Sequence, residues 1–355
     1  MASLQSGSIG KKAERLIQKG DNSKMETFKS MVVSEQENNT FAIEIVDKEI
    51  SSLPQGEVLI QVKYSSINYK DALSATGNKG VTRKYPHTPG IDAAGIVAKS
   101  SDARFQVGDS VLVTGYDLGM NTPGGYGQYI NVPASWVVKL PNNLSLRESM
   151  IYGTAGFTAA LSVYRLIASG VKPEDGEILV TGATGGVGSI AVSFLHKLGY
   201  NVVALTGKAD AADMLLEIGA KDILPRNEMD DQSGRIMLKE RWACVIDTVG
   251  GNILATALKS TKYGGTVTTC GNVASANFSS SVYPFILRGI SLIGIDSVEC
   301  DMELRLKLWE LMANEWKIES LVANVEEITL HELESKIHLI LQGKLMGRTI
   351  VNLAS

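Results

Sequence analysis

The sequence predicts an α/β chain in two parts: a doubly wound parallel sheet set into a β-rich domain. Three observations carry this. The first is Glu177-Ile-Leu-Val-Thr-Gly-Ala-Thr-Gly-Gly-Val-Gly-Ser189. There an apolar, strand-like run meets a turn with glycines at 182, 185, 186 and 188. An apolar helical pattern follows through Ile190, Val192, Phe194, Leu195 and Leu198. The second is the regular alternation of strand and helix patterns over 178–295. The third is a series of short strand patterns, punctuated by glycine and proline, before Pro141. That series suits a compact, barrel-like β domain.

Residues 1–24 are rich in Ser, Gly and Lys, and no apolar segment follows that would make them a secretory signal. They read as a leader, native or appended, expected to be disordered and outside the fold, with Met25 as an alternative start. From Phe28 strands dominate. Glu57-Val-Leu-Ile-Gln-Val-Lys-Tyr64 is a β-rich run after the turn Leu53-Pro-Gln-Gly56. Asn68-Tyr-Lys-Asp71 opens a short helical pattern to Leu73. Pro86, Pro89 and Gly90 stiffen the connection to a strand over 94–98. Further strands cover 107–114 with its turn, the stretch to Val132, and 136–140.

Ser145 with Glu148 three residues on forms a capping box. The helix it opens contains the small-residue run Gly153-Thr-Ala-Gly-Phe-Thr-Ala-Ala160. Strands are then expected at 178–182, 201–206, 222–224, 243–247, 265–270 and 290–295, with a helix over 209–218 and another from Asn252. Right-handed crossovers make these six strands a doubly wound sheet. The tail from Met302 holds two amphipathic helical segments and a closing strand over 348–353, expected to return to the first domain. The domain limits are thus 25–152 with 301–355 for the β-rich domain and 153–300 for the doubly wound one.

Composition narrows the function. The chain has 355 residues, 44% hydrophobic and 20% charged, enough for a sizeable globular core. A net charge of −4 offers no basic footprint for nucleic acid. The apolar runs fall short of a membrane span. Three cysteines, Cys244, Cys270 and Cys300, without a CxxC pair exclude a disulfide scaffold and suit a reducing cytoplasm. None of the four histidines, His87, His196, His331 and His338, stands at zinc-ligand spacing from a cysteine or acid, so no metal site is expected.

Strand, glycine turn and helix together point to a dinucleotide site. Gly182 permits the tight turn, Gly185 and Gly186 let the backbone approach a pyrophosphate, and Gly188 lets the helix pack on the strand. The helix start through Val187, Gly188 and Ser189 then turns free N–H groups and the positive helix end to the phosphates. An NAD site places an acid at the end of the second strand. Residues 200–208 contain none and end Thr206-Gly207-Lys208, a hydroxyl, a close-approach glycine and a cation that suit a 2′-phosphate. Arg226 is a second cation or an adenine-stacking group. NADPH is therefore the expected cofactor, the competing reading being that Lys208 and Arg226 are solvated surface cations. Asn272 and Asp296 follow the fifth and sixth strands, where ligands collect in open α/β sheets.

Four motifs carry a family resemblance: Gly182-Ala-Thr-Gly-Gly-Val-Gly188, Asn68-Tyr-Lys-Asp71, Gly153-Thr-Ala-Gly-Phe-Thr158 and Pro284-Phe-Ile-Leu-Arg288. Together they resemble the medium-chain dehydrogenase/reductase superfamily, its zinc-independent quinone-oxidoreductase-like members, and best the acryloyl-CoA reductase branch. The likeness runs from about Met25 to the end. Zinc alcohol dehydrogenases of that family carry Gly-His-Glu where this chain reads Gly90-Ile91-Asp92, and a four-cysteine lobe that this chain lacks. The resemblance implies a GroES-like catalytic domain interrupted by a Rossmann domain, with NADPH in the cleft between them. It also implies a dimer, and a tail residue, Arg348, that reaches the cofactor. The competing reading of Arg348 is a strand-edge cation.

Without zinc, a simple ketone is a hard target because charge collects on one oxygen. An alkene conjugated to a carbonyl or thioester spreads that charge as an enolate. Tyr69 is the candidate proton donor or orienter, with Asn68 and Asp71 as its scaffold. Water is the competing acid, since an ordinary tyrosine titrates near 10. Thr158 is a candidate hydrogen-bond partner for the nicotinamide end. The expected activity is NADPH-dependent reduction of an α,β-unsaturated acyl-CoA, acrylyl-CoA favoured. An NADPH:quinone oxidoreductase and a non-catalytic NADPH-binding regulatory protein are the rivals. The sixth strand, Ile290-Ser-Leu-Ile-Gly-Ile295, is apolar and carries neither proline nor charge. At the edge of a sheet ordered 3-2-1-4-5-6 it is expected to pair in a homodimer, or to be capped by the helical segment 302–316.

Overall fold

The computed structural model describes residues 26–354. The predicted leader lies outside the described residues. Two antiparallel strands, Thr27–Glu35 and Phe41–Glu49, open the chain as their own small sheet. The β-rich sheet runs in the order Val325–Thr329, Arg348–Asn352, Val58–Ser66, Asp92–Ser100, Ser110–Thr114, Val138–Lys139. Tyr129–Val132 also pairs with Val58–Ser66. Alternate residues Val58, Ile60 and Val62 point into a core shared with Met31, Val111 and Ile130, the period-two pattern of a one-faced strand.

The third sheet is parallel. Its order is Asp222–Pro225, Asn201–Thr206, Glu177–Val180, Trp242–Asp247, Thr261–Thr269, Ser291–Gly294, which is 3-2-1-4-5-6. Ile178, Leu179 and Val180 are all fully buried because helices cover both faces: Ile178 and Val180 belong to one core cluster and Leu179 to another. Some boundaries differ from the sequence pattern. The fifth strand starts at Thr261 rather than at 265, because Thr261 pairs with Trp242 before an irregularity in register. The sixth is shorter at both ends, and the segment over 209–211 is a 3₁₀ turn before the helix Ala212–Glu217.

The helix Leu146–Ala168 joins the two parts. Its start is the predicted capping box: Glu148 N donates to Ser145 Oγ (3.1 Å) and Ser145 N donates to Glu148 Oε2 (2.8 Å). It is not continuous, however. Gly153 adopts φ 51° and ψ −156°, and the helix restarts at Thr154. The helix Met302–Ala313 packs on this joining helix, Phe157 stacking on Trp309, rather than over the strand Ser291–Gly294. The expected alternative of a helical cap on that edge is therefore corrected: those apolar residues are used in the core instead.

Candidate active site

The glycine turn follows the strand Glu177–Val180. Gly182 has φ 59°, a left-handed geometry that favours glycine. A Cβ on Gly188 would overlap the Gly182 carbonyl, so only glycine brings the helix Gly186–Lys197 this close to the turn. At Gly185, which precedes the helix, a Cβ would meet only the Gly182 carbonyl oxygen, at 3.4 Å, which leaves an open cradle at the helix start. Val187 is half-buried and Ser189 buried, its Oγ turned back to the Gly186 carbonyl at 3.4 Å.

At the end of the second parallel strand, four predicted residues come together. Thr206 Oγ1 accepts from Lys208 N at 3.0 Å. The Arg226 guanidinium lies against Gly207, where a Cβ would come within 2.7 Å of Nη2. Lys208 Nζ donates to the Leu345 carbonyl at 2.7 Å, and burial lowers its pKa. Lys208 is thus not a free surface cation. The absence of a side chain at Gly207 is what admits the second cation.

A buried polar cluster lies beside this turn. Asn68 N donates to Asp71 Oδ2 (2.8 Å) and Asn68 Nδ2 to Asp92 Oδ2 (2.7 Å). Asp71 Oδ1 accepts from Ile91 N at 2.8 Å. The Tyr126 hydroxyl donates to the Ser66 carbonyl at 3.2 Å and also faces Asp71. Burial, and after it the charge of Asp92, push the Asp71 carboxyl up to about 7. Burial raises Tyr126 well above the ordinary tyrosine range.

Arg348 closes the cluster. Nε donates to the Ile151 carbonyl (2.8 Å), and Nη1 reaches the Ile67 carbonyl (3.2 Å) and Asn68 Oδ1 (3.4 Å). The same Nη1 would stand 3.0 Å from a Cβ on Gly186. Its strand lies between Val325–Thr329 and Val58–Ser66, so the reading of Arg348 as a strand-edge cation is corrected.

The remaining predicted residues stand apart or are already engaged. Tyr69, the first residue of the helix Tyr69–Ala75, is 38% exposed. Thr158 Oγ1 donates to the Thr154 carbonyl (2.7 Å) and shares a hydrogen bond with Ser297 Oγ (2.9 Å). Asp296 Oδ1 accepts from Val298 N (2.9 Å) and Glu299 N (3.2 Å), capping its own turn. Asn272 is exposed, beside Gly250. Sequence reasoning missed Ser66, Asp92, Tyr126 and Thr154. One signal existed: Asp92 is an acid opening the otherwise apolar run Ala93-Ala-Gly-Ile-Val97.

Zinc does not fit. Among the described residues, no group of three or more His, Cys, Asp or Glu is placed so that it could hold a metal ion. Burial pushes Cys244 up to about 11 and Cys270 to about 12, so both are neutral thiols near pH 7. A dinucleotide does fit: the glycine cradle is open at the helix start, the Arg226 guanidinium lies against Gly207 at the neighbouring strand end, and Lys208 follows it within electrostatic reach of Arg226.

Comparison with known proteins agrees with this geometry. Residues 54–142 match the alcohol dehydrogenase GroES-like domain, and residues 186–314 match a family described as zinc-binding dehydrogenase. YhfP of Bacillus subtilis, named as a quinone oxidoreductase, is 46% identical over 330 residues, covering 93% of this chain and 100% of YhfP. The acrylyl-CoA reductase AcuI of Ruegeria pomeroyi is 43% identical, covering 92% of this chain and 99% of AcuI. Among solved structures, the YhdH oxidoreductase of Salmonella enterica in complex with NADP is 42% identical with a TM-score of 0.89, covering 91% of this chain and 99% of that one. B. subtilis YhfP with NAD bound is 45% identical with a TM-score of 0.89, covering 92% and 99%. The chain belongs to the medium-chain dehydrogenase/reductase family, in the zinc-independent group of these relatives.

Proposed function

We propose that this chain is an NADPH-dependent reductase of the activated C=C bond of an α,β-unsaturated acyl-CoA, acrylyl-CoA foremost. The observation that supports this most is the position of Arg348. One buried guanidinium touches both Gly186, in the glycine turn, and Asn68, just before Tyr69. The cofactor turn and the Tyr69 helix therefore share one anchor.

NADPH, when bound, supplies the hydride that adds to the carbon β to the thioester. Gly185, Gly186, Val187, Gly188 and Ser189 would hold its pyrophosphate, with Arg348 behind them. Thr206, Gly207, Lys208 and Arg226 would hold the 2′-phosphate, Lys208 leaving the Leu345 carbonyl to do so. Thr158, Asn272 and Asp296 would line the remainder. Tyr69 is the candidate to deliver or orient the proton for the α-carbon, and Asn68 and Asp71 hold the turn that carries it. The likeness to AcuI favours the acyl-CoA substrate and the likeness to YhfP a quinone.

Homodimerisation belongs to this reading. The edge strand Ser291–Gly294 is half-buried at Leu292 and Ile293, and pairing with a second copy would satisfy it. The three unpaired thiols fit a reducing cytoplasm.

The test is to follow nicotinamide absorbance with pure protein, NADPH and a panel of acrylyl-CoA, crotonyl-CoA and a quinone. Acrylyl-CoA is expected to give the highest kcat/KM. A quinone reduced with the highest kcat/KM would favour the second reading.

A further inference from the structure

Asp92 is fully buried, yet its carboxylate is ringed by donors. Oδ2 accepts from Ser66 Oγ (2.5 Å), Asn68 Nδ2 (2.7 Å) and Thr154 N (2.9 Å). Oδ1 accepts from Thr154 Oγ1 (2.6 Å) and, more weakly placed, from Thr154 N (3.0 Å). The donors come from two places: the turn entering the Tyr69 helix, and the point where the joining helix restarts after Gly153. A carboxylate out of water is costly, and an apolar residue would fill the space at lower cost if packing were its only task. Asp92 instead acts as an N-cap for the second half of the joining helix, from a strand 62 residues earlier.

Asn68 is held at both ends. Its backbone N–H is bound by Asp71 and its side chain by Asp92. It cannot turn without losing one of them, and Tyr69 is its neighbour in the chain. We propose that Asp92 is a positioning residue for the reduction, acting through Asn68 to hold Tyr69 in register with the helix that restarts at Thr154. This rests on the reading of Tyr69 as the group at the reacting carbon.

The proposal has an electrostatic signature. The charged and titratable groups facing Asp71 are Asp92, Tyr126 and Arg348. The helix Leu333–Leu341, packed on the same segment, brings Leu333 and Ile337 into its core. Protonation of Asp71 weakens it as the acceptor of the Asn68 amide, so turnover should fall on the acid side of about pH 7, the value to which burial and Asp92 push this carboxyl. Removing the Asp92 charge should move that limb to lower pH.

The experiment is a double-mutant cycle on the full chain with Asp92→Asn and Asn68→Ala, using saturating NADPH and whichever acceptor the wild type reduces. NADPH affinity is read by fluorescence titration. The proton on Asp71 is read by the infrared carbonyl band of its acid form, assigned by its loss in Asp71→Asn. Each single variant is expected to lose about 10- to 100-fold in kcat, the scale of a misplaced reacting group, with NADPH affinity within about threefold of wild type. The double variant should fall no further than the worse single. Asp92→Asn should also shift the infrared midpoint and the acid limb downward. Losses that multiply in the double variant, or an Asp92→Asn protein with unchanged kcat and midpoint, overturn the proposal. If Asp92→Asn does not fold, Thr154→Val takes the 2.6 Å donor from the same carboxylate, and its cycle with Asn68→Ala is judged by the same rule. A wild type that oxidises NADPH with none of the acceptors removes the functional reading and this proposal together; an active wild type with multiplying losses removes this proposal alone.

Discussion

In the proposed reading, cofactor choice turns on Lys208 and Arg226. A charge-assisted contact to a 2′-phosphate contributes about 1.5–3 kcal/mol. Lys208→Ala and Arg226→Ala are each expected to weaken NADPH binding by about 10- to 100-fold and leave NADH nearly unchanged, as measured by calorimetric titration. Equal wild-type affinity for the two cofactors would sink the assignment. Asp71 makes a different prediction. Its carboxyl is raised from 3.8 to about 7, so the folded chain keeps a proton that the unfolded chain has released. Stability from this group is full below its unfolded value and is lost as pH rises through about 7. Urea unfolding at about pH 5 and about pH 8 should therefore show a smaller difference in Asp71→Asn than in wild type. A missing acid at a strand end can be read from a string of letters, which is why Lys208 was visible in the sequence. Asp92 was not, because its donors at 66, 68 and 154 are neighbours only after folding.

The joining helix shows the same limit for an element. Its capping box is local, three residues wide, and legible in the sequence. Its break is not, since the carboxylate that restarts it lies 62 residues away. At Gly153, φ is 51°, and a Cβ would crowd Asp92 Oδ2, Ser66 Oγ and Arg348 Nη2. Gly153→Ala is expected to cost about 2 kcal/mol or more in denaturant unfolding, and to lower turnover beyond what the stability loss explains. Full stability in that variant would show that the break is tolerant. The parallel strands were legible because burial on both faces leaves unbroken apolar runs, as in Ile178-Leu-Val180. Their ends were less so, because Thr261 joins through a register irregularity that no periodicity reports.

For the whole molecule, the strand order followed from the alternation of patterns, while the state of the sheet edge did not. Just before the edge strand Ser291–Gly294 in the chain comes the helix Tyr283–Arg288, packed on Thr261–Thr269, where Ile286 is 70% and Leu287 58% exposed. A homodimer formed there is expected to dissociate in Leu292→Lys, with a fall in thermal stability, as read by light scattering and calorimetry. A monomeric wild type at micromolar concentration would refute that assembly. The way the chain threads its two larger sheets has one more effect. The six strands of the parallel sheet lie within one continuous stretch from Glu177 to Gly294. The other sheet must wait for Arg348–Asn352, whose arginine meets a carbonyl 281 residues upstream. During synthesis, which proceeds from the N-terminus, the part begun first is therefore the part finished last. Until that late strand arrives, the end of Val58–Ser66, from Tyr64 to Ser66, lacks its partner on one side, and a helper that shields such edges would act on the half-made β-rich sheet rather than on the nucleotide-binding one.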